Sequence, residues 1–554
     1  MQSVKRRTLK IVAITAAATL CVGFTSVAVR DARLGQNIEV LVGMFRDLSL
    51  FYVDDVNTDK LLKDAAKGMA ASLDPYTELY TTEGMEELEM MTTGKYGGIG
   101  SVIRADSDYV RIAEPYRGSP ADRAGLEIGD KILSVDGKDL KGATTQEVSS
   151  RLKGEPGTTL RLSVRKFRTG EVQKLTIRRE RIAIPALPYY GMLGDSLGYI
   201  HHNDFTEGCS GQMRKAIEEL RKQGARGLIL DYRGNGGGIV QEAISIISMF
   251  VPSGTEVLVM KGKAEGTSKV FRTTEEPIAR TLPLVVLVDS YTASAAEILA
   301  GAIQDLDRGV VVGQRTFGKG LVQSTRPLGY DSFLKLTTAK YYTPSGRCIQ
   351  SFDYSDKGRK GGSHIPDSLI NEFCTAAGRK VYDGGGITPD VVLTPEYINK
   401  FPMMLYATGI LDDYADRYTL KNGVEGVDID TFALTDDDYD DFVEMVGNRP
   451  LDYESETRSV IKALREVSTE EGYAAEITAE LEALERKVAS DNEALLRRHR
   501  TQISDMIEEC IVLRAAYSEG VARHSLHKDT AVAEAARLLS NGEAYTKILT
   551  PKAE

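Results

Sequence analysis

The sequence predicts a multidomain α+β protein, with a β-rich module placed before an α/β core and helical regions at both ends. Three observations support this prediction. The chain has 554 residues, more than one ordinary hydrophobic core accommodates. Near Lys95 the pattern changes from helical periodicity to short strands and glycine turns, and near residue 183 to alternating strands and helices. Helical patterning returns beyond Pro395.

The first thirty residues have the pattern of an export segment. Lys5, Arg6, Arg7 and Lys10 precede an uncharged stretch, residues 11–29. A basic segment before a short apolar stretch is typical of a signal peptide or of an uncleaved membrane anchor, and both alternatives stay open for residues 1–30. We therefore expect an exported protein, periplasmic or anchored in the inner membrane and facing the periplasm.

The next two regions follow from their periodicity. Residues 31–94 are predicted to be helical, because apolar residues from Ile38 to Leu48 recur at helical spacing. Residues 95–182 are predicted to form the β-rich module, with one helix from about Thr145 to Leu152. Thr144 and Glu147 have the spacing of a capping box at the start of that helix.

The remaining chain divides into an α/β part and a helical part. Within residues 183–395, Gly227–Asp231 and Leu284–Asp289 are continuous apolar runs that end in an acid, as buried strands do. Residues 396–554 are predicted to form a helix-rich C-terminal domain. The acidic run that begins at Asp436 is predicted to start a helix, in preference to binding calcium.

Composition limits the function classes. Hydrophobic residues make up 42% and charged residues 27% of the chain, as in folded globular proteins. The net charge of −11 argues against a nucleic-acid partner. Cysteines 209, 348, 374 and 510 are too scattered for a CxxC metal site, and no HExxH motif occurs. We therefore predict no metal and no cofactor.

Three segments of the α/β part carry residues suited to chemistry, and the first is rich in glycine. The strand that ends at Asp231 runs into Gly236, Gly237 and Gly238. Without a Cβ, such a turn lets backbone N–H groups approach a ligand closely. An ordinary tight turn at a sheet edge has the same pattern.

The second segment places a serine at the start of a helix. Ser294 follows the predicted strand at Leu284–Asp289, and a helix is predicted to begin at Ala295. Unpaired N–H groups at a helix N-terminus stabilise negative charge. This arrangement suits a nucleophile whose attack creates an oxyanion, with the Ala295 amide as one donor. The alternative is that Ser294 only caps the helix.

The third segment places a lysine among glycines, from Gly313 to Gln323. It nearly matches a phosphate-binding loop, but Gly320 stands where the magnesium-binding hydroxyl belongs. A desolvated lysine loses its proton more readily, so Lys319 is suited to act as a general base. Gln323 is placed to orient the ammonium group. The alternative is an ordinary solvated lysine.

Taken together, these segments resemble the C-terminal processing (tail-specific) proteases of peptidase family S41. The resemblance rests on Thr292–Glu297, on Thr316–Gln323, on the turn from Asp231 to Gly238 and on Tyr342–Arg347, with Lys319 placed 25 residues after Ser294. It implies an S41-type protease core with Ser294 as nucleophile, Lys319 as base and Gln323 as the residue that orients the lysine. It also implies an oxyanion hole formed by the amides of Ala295 and Gly237.

The β-rich module resembles a PDZ domain. Tyr96–Gly100 is similar to the carboxylate-binding loop of that domain, and Gly118–Ala121 and Ala124–Gly137 are similar to its helix-turn-strand segment. The resemblance implies that Gly98, Ile99 and Gly100 bind the C-terminus of a substrate. The expected partners are proteins or peptides with exposed, apolar C-termini.

The resemblance implies a serine endopeptidase that works outside the cytoplasm and without ATP. One alternative is an exported PDZ-containing binding or scaffold protein whose hydrolase site is idle, but a dead relative usually lacks the serine or the lysine. A second alternative, a nucleotide-binding enzyme, needs a hydroxyl at position 320. Oligomerisation through the helical termini is a further expectation.

Overall fold

The computed structural model describes residues 32–81, 89–106, 108–354, 363–447, 449–451, 453–488 and 492–551. The chain forms two units, one of Met1–Tyr80 with Thr325–Leu336 and one of Thr81–Ser324 with Thr337–Glu554. The predicted export segment, residues 1–30, lies outside the described residues. In the part of the chain that is described, no helix has both the length and the apolar character needed to cross a membrane.

The first unit is largely helical. It contains α1 (32–51), α2 (Thr58–Ala70) and β1 (Glu78–Tyr80). The side chain of Asn57 caps α2 by accepting the N–H of Lys60. Strand β1, which the helical periodicity did not predict, exists because it pairs antiparallel with a distant segment, with Leu79 opposite Leu334.

The β-rich module begins the second unit. Its sheet has the order β3-β4-β5-β7-β8, with β6 on the edge of β5, and β2 pairs with β9. The elements are α3 (described over 89–93), β2 (Lys95–Gly98), β3 (Ser101–Arg104), β4 (Arg111–Pro115), α4 (Pro120–Arg123), β5 (Lys131–Val135), β6 (Lys138–Asp139), α5 (Thr145–Leu152), β7 (Thr159–Arg165), β8 (Val172–Arg178) and β9 (Glu180–Ala183). The predicted capping box of α5 is present, with the Thr144 N–H donating to Glu147 at 2.8 Å.

A six-stranded sheet of order β10-β11-β12-β15-β16-β23 forms the centre of the α/β core. Only β10 and β11 are antiparallel; the other pairs are parallel. The elements are β10 (Tyr189–Leu193), β11 (Leu197–His201), α6 (Cys209–Lys222), β12 (Gly227–Asp231), α7 (Val240–Ile247), β15 (Leu284–Val288), α8 (Ala295–Asp305), β16 (Val310–Gly313) and β23 (Val391–Val392).

Helices cover both faces of this sheet. Leu228 and Leu230 of β12 face a cluster that includes α6, α7 and α8. Ile229, between them, faces the opposite side, where it packs with Val532 and Leu538 of a C-terminal helix. This alternation explains why β12 is an unbroken apolar run, since side chains on both faces are buried.

The other strands between residues 256 and 382 form separate, smaller sheets. A hairpin of β17 and β18 pairs with β13, which pairs with β14. The elements are β13 (Glu256–Gly262), β14 (Lys269–Arg272), β17 (Leu321–Gly329), β18 (Ser332–Tyr342), β19 (Phe352–Asp353), β20 (Ser363–His364), a 3-10 turn (Asp367–Leu369), β21 (Glu372–Cys374) and β22 (Lys380–Tyr382). No disulfide joins the four cysteines that the structure describes.

The C-terminal region is helical, as predicted. Its elements are α9 (Lys400–Ala407), α10 (Ile410–Asn422), α11 (Asp436–Gly447), α12 (Glu456–Glu470), α13 (Ala474–Val488), α14 (Asn492–Arg498), α15 (Arg500–Ser525), α16 (Thr530–Ser540) and α17 (Gly542–Leu549). The acidic run at Asp436 does begin a helix, α11. The fold class predicted from the sequence is therefore confirmed, and the predicted domain boundaries stay predictions.

Candidate active site

The glycine turn and the segments that carry Ser294 and Lys319 lie close together because of the sheet topology. Strands β12, β15 and β16 are parallel neighbours, so their carboxyl ends lie at one edge of the sheet. The glycine turn follows β12, Ser294 follows β15, and Lys319 follows β16. The structure thus brings together segments that are far apart in the sequence.

Ser294 occupies a strained position at the start of α8. Its backbone has φ 56° and ψ −115°, which an L-residue other than glycine rarely adopts. The residue is partly buried, and Ala295 is the first residue of α8 and fully buried. The Ala295 N–H has no partner within a helix, as expected of a first helical residue, so it suits the predicted role in an oxyanion hole.

The glycine turn is joined to the serine segment at its beginning. The N–H of Gly234 donates to both carboxylate oxygens of Asp289, at 3.1 and 3.0 Å. The hydroxyl of Thr292 donates to the carbonyl of Tyr232 at 2.9 Å. These bonds make the glycine turn and the residues before Ser294 one connected structure.

Gly237 lies directly against the nucleophile. A Cβ at this position would lie 2.7 Å from the Cβ of Ser294, so only glycine fits. The Gly237 N–H, however, donates to Oδ1 of Asn235 at 2.8 Å. Its assignment to the oxyanion hole stays a prediction, and it requires this amide to share or exchange its present acceptor.

Glu297 links the serine and lysine segments. Its side chain is fully buried, and its Oε2 accepts the backbone N–H of Ser294 and that of Lys319, each at 2.8 Å. Because both bonds end on the same oxygen, the backbone nitrogens of Ser294 and Lys319 cannot be farther apart than the sum of the two bond lengths. Its Oε1 accepts the Thr316 hydroxyl at 2.6 Å and the Gly318 N–H at 2.7 Å. Burial raises the pKa of this carboxyl, while these donors stabilise its ionised form.

A buried tyrosine makes a second link between the same two segments. The hydroxyl of Tyr341 lies 3.1 Å from the carbonyl oxygen of Ser294 and also contacts the carbonyl oxygen of Lys319. Tyr341 is 1% exposed and belongs to β18. Ser294 and Lys319 are thus held together through both their N–H and their C=O groups.

Lys319 is partly buried, and Gln323 lies four residues further on in β17. The side-chain nitrogen of Gln323 donates to the hydroxyl of Thr337 at 3.2 Å. This bond directs one end of the amide and leaves its oxygen as the group suited to accept from the Lys319 ammonium. The role predicted for Gln323 stays a prediction.

The lysine loop lacks the context of a phosphate-binding loop. After β16 ends at Gly313, the chain passes through residues 314–320 and enters a strand, β17. A phosphate-binding loop leads into a helix, whose N-terminus contributes to binding the anion. The nucleotide alternative is therefore not supported.

His202, one of the two adjacent histidines, touches the glycine turn through its backbone, because its carbonyl accepts the side-chain N–H of Asn235 at 2.7 Å. His202 is fully buried and packs against Phe205 and Tyr232, with ring centroids 4.5 and 5.2 Å away. Burial lowers the pKa of His202 to about 4. Among the described residues, no group of three or more His, Cys, Asp or Glu side chains is arranged to hold a metal ion.

The β-rich module contains a second site, between β3 and α5. A cavity of about 60 Å³ is lined by Tyr96, Ile99, Ser101, Ile103, Ser149, Leu152 and Lys153. Ile99 is 2% exposed and belongs to the hydrophobic core of the module, so it separates the cavity from that core. The hydroxyl of Ser101 is buried and has no hydrogen-bond partner among the described residues. Gly98 ends β2 and Gly100 has φ 77°, and the role in binding a substrate C-terminus predicted for Gly98, Ile99 and Gly100 stays a prediction.

Comparisons with known proteins match three parts of the chain to protein families. A family model described as peptidase family S41 matches residues 196–353. One described as PDZ domain matches residues 111–166, and one described as probable PDZ-protease, C-terminal helical domain, matches residues 402–539.

Individual proteins show the same likeness. A carboxy-terminal-processing protease of Bartonella bacilliformis is 33% identical over 311 residues, which cover 55% of this chain and 71% of that protein. A carboxyl-terminal-processing protease of Picosynechococcus sp. is 36% identical over 292 residues, covering 52% and 69%. A solved photosystem II D1 C-terminal processing protease is 28% identical, covers 64% of this chain and 92% of that one, and has a TM-score of 0.36.

The chain therefore belongs to peptidase family S41, as a PDZ-containing serine-type peptidase of the carboxy-terminal-processing kind. This confirms the family and the enzyme class predicted from the sequence. Glu297 and Tyr341 were not predicted as site residues. Glu297 stands in the segment that carries the resemblance, but its partners near Lys319 are visible only in the fold.

Proposed function

We propose that the protein is a serine endopeptidase that uses a Ser294–Lys319 dyad to cleave proteins recognised by their C-termini. The observation that carries this proposal is the shared hydrogen bonding of Glu297 Oε2 to the backbones of both residues. It keeps the two backbones within reach of each other's side chains. A relative with an idle site usually lacks the serine or the lysine, and both are present here.

The chemistry follows from the roles of these groups. The Ser294 hydroxyl attacks the substrate carbonyl while the neutral Lys319 amine takes its proton. The oxyanion is stabilised by the Ala295 N–H at the start of α8. When the peptide C–N bond breaks, the proton passes to the leaving amine and an acyl-enzyme remains on Ser294. A water molecule, deprotonated by Lys319, then releases the acid and restores the serine.

The cavity of the PDZ module supports recognition of a chain terminus. Ile99, Ile103 and Leu152 offer an apolar surface for the last side chain. Lys153 contributes a positive charge, and the buried Ser101 hydroxyl contributes a polar group that has no hydrogen-bond partner in the described part of the chain. An apolar side chain next to a carboxylate complements this combination.

The place of action is proposed from the sequence. The basic, then uncharged, N-terminus supports export to the periplasm, with residues 11–29 either removed or kept as an anchor. Action without ATP is supported by the absence of a phosphate-binding context at Gly313–Lys319 among the described residues. Oligomerisation through the helical termini stays a prediction.

The direct test is digestion of an unfolded protein by the purified enzyme in the absence of nucleotide. Wild type should generate fragments, and Ser294→Ala should generate none at an unchanged melting temperature. If Ser294→Ala cleaved at the wild-type rate, or wild type cleaved no protein under any condition tried, the proposed function would be rejected.

A further inference from the structure

We propose that Asp529, in the C-terminal helical region, is a positioning residue for the glycine turn that lies against Ser294. The inference rests on the proposed peptidase activity and adds a residue that the resemblance does not assign. Asp529 reaches the site through one side chain, Arg233, which is the second residue after β12.

Arg233 is held between two carboxylates. Its Nε lies 2.9 and 3.0 Å from the two side-chain oxygens of Asp231, and one of its terminal nitrogens donates to Oδ2 of Asp529 at 2.6 Å. The backbone N–H of Arg233 also donates to Asp231, at 3.0 Å. A planar guanidinium with a carboxylate on either side has a fixed orientation.

Of the two carboxylates that hold Arg233, that of Asp231 is rigid. Asp231 ends β12, is 2% exposed, and accepts the hydroxyl of Tyr199 at 2.8 Å. Burial would raise the pKa of Asp231, but the charge and hydrogen bonds of Arg233 hold that pKa below its ordinary value. Asp231 therefore stays ionised and keeps its hold on the arginine.

The carboxylate of Asp529 is also rigid, because it binds a second partner besides Arg233. Its Oδ1 caps α16 by accepting the N–H groups of Ala531 and Val532, at 2.9 and 3.0 Å. Helix α16 packs through Val532 and Leu538 on the face of the central sheet opposite α8. Asp529 is thus fixed to the same sheet that presents the serine.

The consequence for the site follows along the turn. Next to Arg233, the N–H of Gly234 binds Asp289, and three residues further Gly237 packs against Ser294. If Asp529 releases Arg233, the guanidinium is held by Asp231 alone, and the beginning of the turn loses one of its anchors. Displacements of about 1 Å near a nucleophile are enough to slow catalysis.

The experiment separates this role from helix capping. Ser and Asn both cap helices well, so Asp529→Ser and Asp529→Asn keep the cap of α16. Serine is too short to reach Arg233, and the asparagine amide offers no charge. The matched control is Asp505→Asn, which removes an acid that pairs with the neighbouring Lys528 at 2.6 Å and does not touch the turn.

Steady-state cleavage of a small reporter peptide is measured for each variant, together with amide hydrogen exchange over residues 232–238. We expect kcat to fall about 2- to 30-fold in both Asp529 variants, with KM nearly unchanged and with faster exchange in the turn. In Arg233→Lys, kcat should fall by a similar factor. Combining Arg233→Lys with Asp529→Ser should lower kcat little further. Asp505→Asn should behave as wild type.

Wild-type kcat and wild-type exchange in Asp529→Ser would overturn the inference, and so would an equal loss of kcat in Asp505→Asn. If one Asp529 variant failed to fold, the other and Arg233→Lys would still decide. If wild type cleaved nothing, the proposed function would fall while the exchange measurement would still report whether Asp529 positions the turn.

Discussion

The buried carboxylate of Glu297 accepts the backbone N–H of Lys319 at 2.8 Å. Because the same oxygen accepts the backbone N–H of Ser294, the proposed base and nucleophile share one anionic anchor. Four donors, all N–H or O–H groups, surround this carboxylate. Each would lose an acceptor if the anchor were removed.

The first prediction is therefore for Glu297→Gln. The new amide replaces one acceptor oxygen by a donor, so buried N–H groups near it become unsatisfied, each at a cost of about 1–3 kcal/mol. We expect kcat to fall on the order of 10²-fold as the two segments shift, with a lower melting temperature. Reporter kinetics and thermal unfolding measure the two effects.

The control for this variant is Glu242→Gln. Glu242 also accepts backbone N–H groups, from Gly208 and Ser210 at 2.9 Å each, but it does not contact the serine or lysine segment. Loss of stability with nearly normal kcat is expected there. Equal kcat losses in the two variants would show that Glu297 matters only for folding.

Stability at acid pH should depend on His202. Its pKa in the folded protein is about 4, below its ordinary value of 6.5. As the pH falls from about 6.5 to 4, the unfolded chain takes up the proton first, so folding stability is lost over this window and is fully present above it. The difference corresponds to about 3 kcal/mol.

His202→Gln removes this titration and should flatten the melting temperature between pH 6.5 and pH 4, the window set by the folded and ordinary pKa values of His202. Replacing His499, which is less buried and whose pKa is also lowered by burial, is the comparison. If the pH dependence of melting is the same with and without His202, another group sets it.

The PDZ cavity predicts a charge-dependent preference for free C-termini. A peptide that ends in an apolar residue should bind roughly 10-fold more weakly when amidated, which corresponds to about 1.4 kcal/mol. Lys153→Gln should weaken the free acid similarly and leave the amide unaffected, as titration of labelled peptides can show. Lys174→Gln, an exposed lysine of the same module, is the control. Equal binding of acid and amide would refute carboxylate capture.

Binding at the PDZ module should also regulate cleavage. The module contacts the C-terminal helices through buried charges, with Arg111 3.2 Å from Asp416, and this contact gives it a defined docked position. A non-cleavable peptide with an apolar C-terminus should, at low concentration, raise cleavage of a separate reporter by favouring the active state. Removing residues 95–182 should abolish this response. If the rate of reporter cleavage did not change when the peptide was added, the module would only tether substrate.

The elements that could be predicted from the sequence are those that depend on residues close together in the chain. The helix at Thr145–Leu152 and its capping box are local, and the structure contains both. The strand at Gly227–Asp231 and the start of α8 at Ala295 follow from unbroken local patterns as well. The family resemblance then located Ser294 and Lys319, whose roles stay predictions.

The contacts that organise the site could not be predicted in this way. Glu297 binds an N–H 22 residues away, and Arg233 binds Asp529 across 296 residues. Such pairs depend on strand order and on helix docking, and neither leaves a periodic pattern in a single sequence. For the same reason β1, whose partner lies in β18, was predicted to be helical.

The central claim, that Ser294 and Lys319 act as one unit, is tested most directly by a double-mutant cycle on the reporter peptide. Ser294→Ala and Lys319→Ala should each abolish turnover, and the double variant should be no worse, since either change alone disables the unit. His201→Gln and His202→Gln should retain activity. Normal turnover in Lys319→Ala, or a loss in either histidine variant as complete as in Ser294→Ala, would contradict the account.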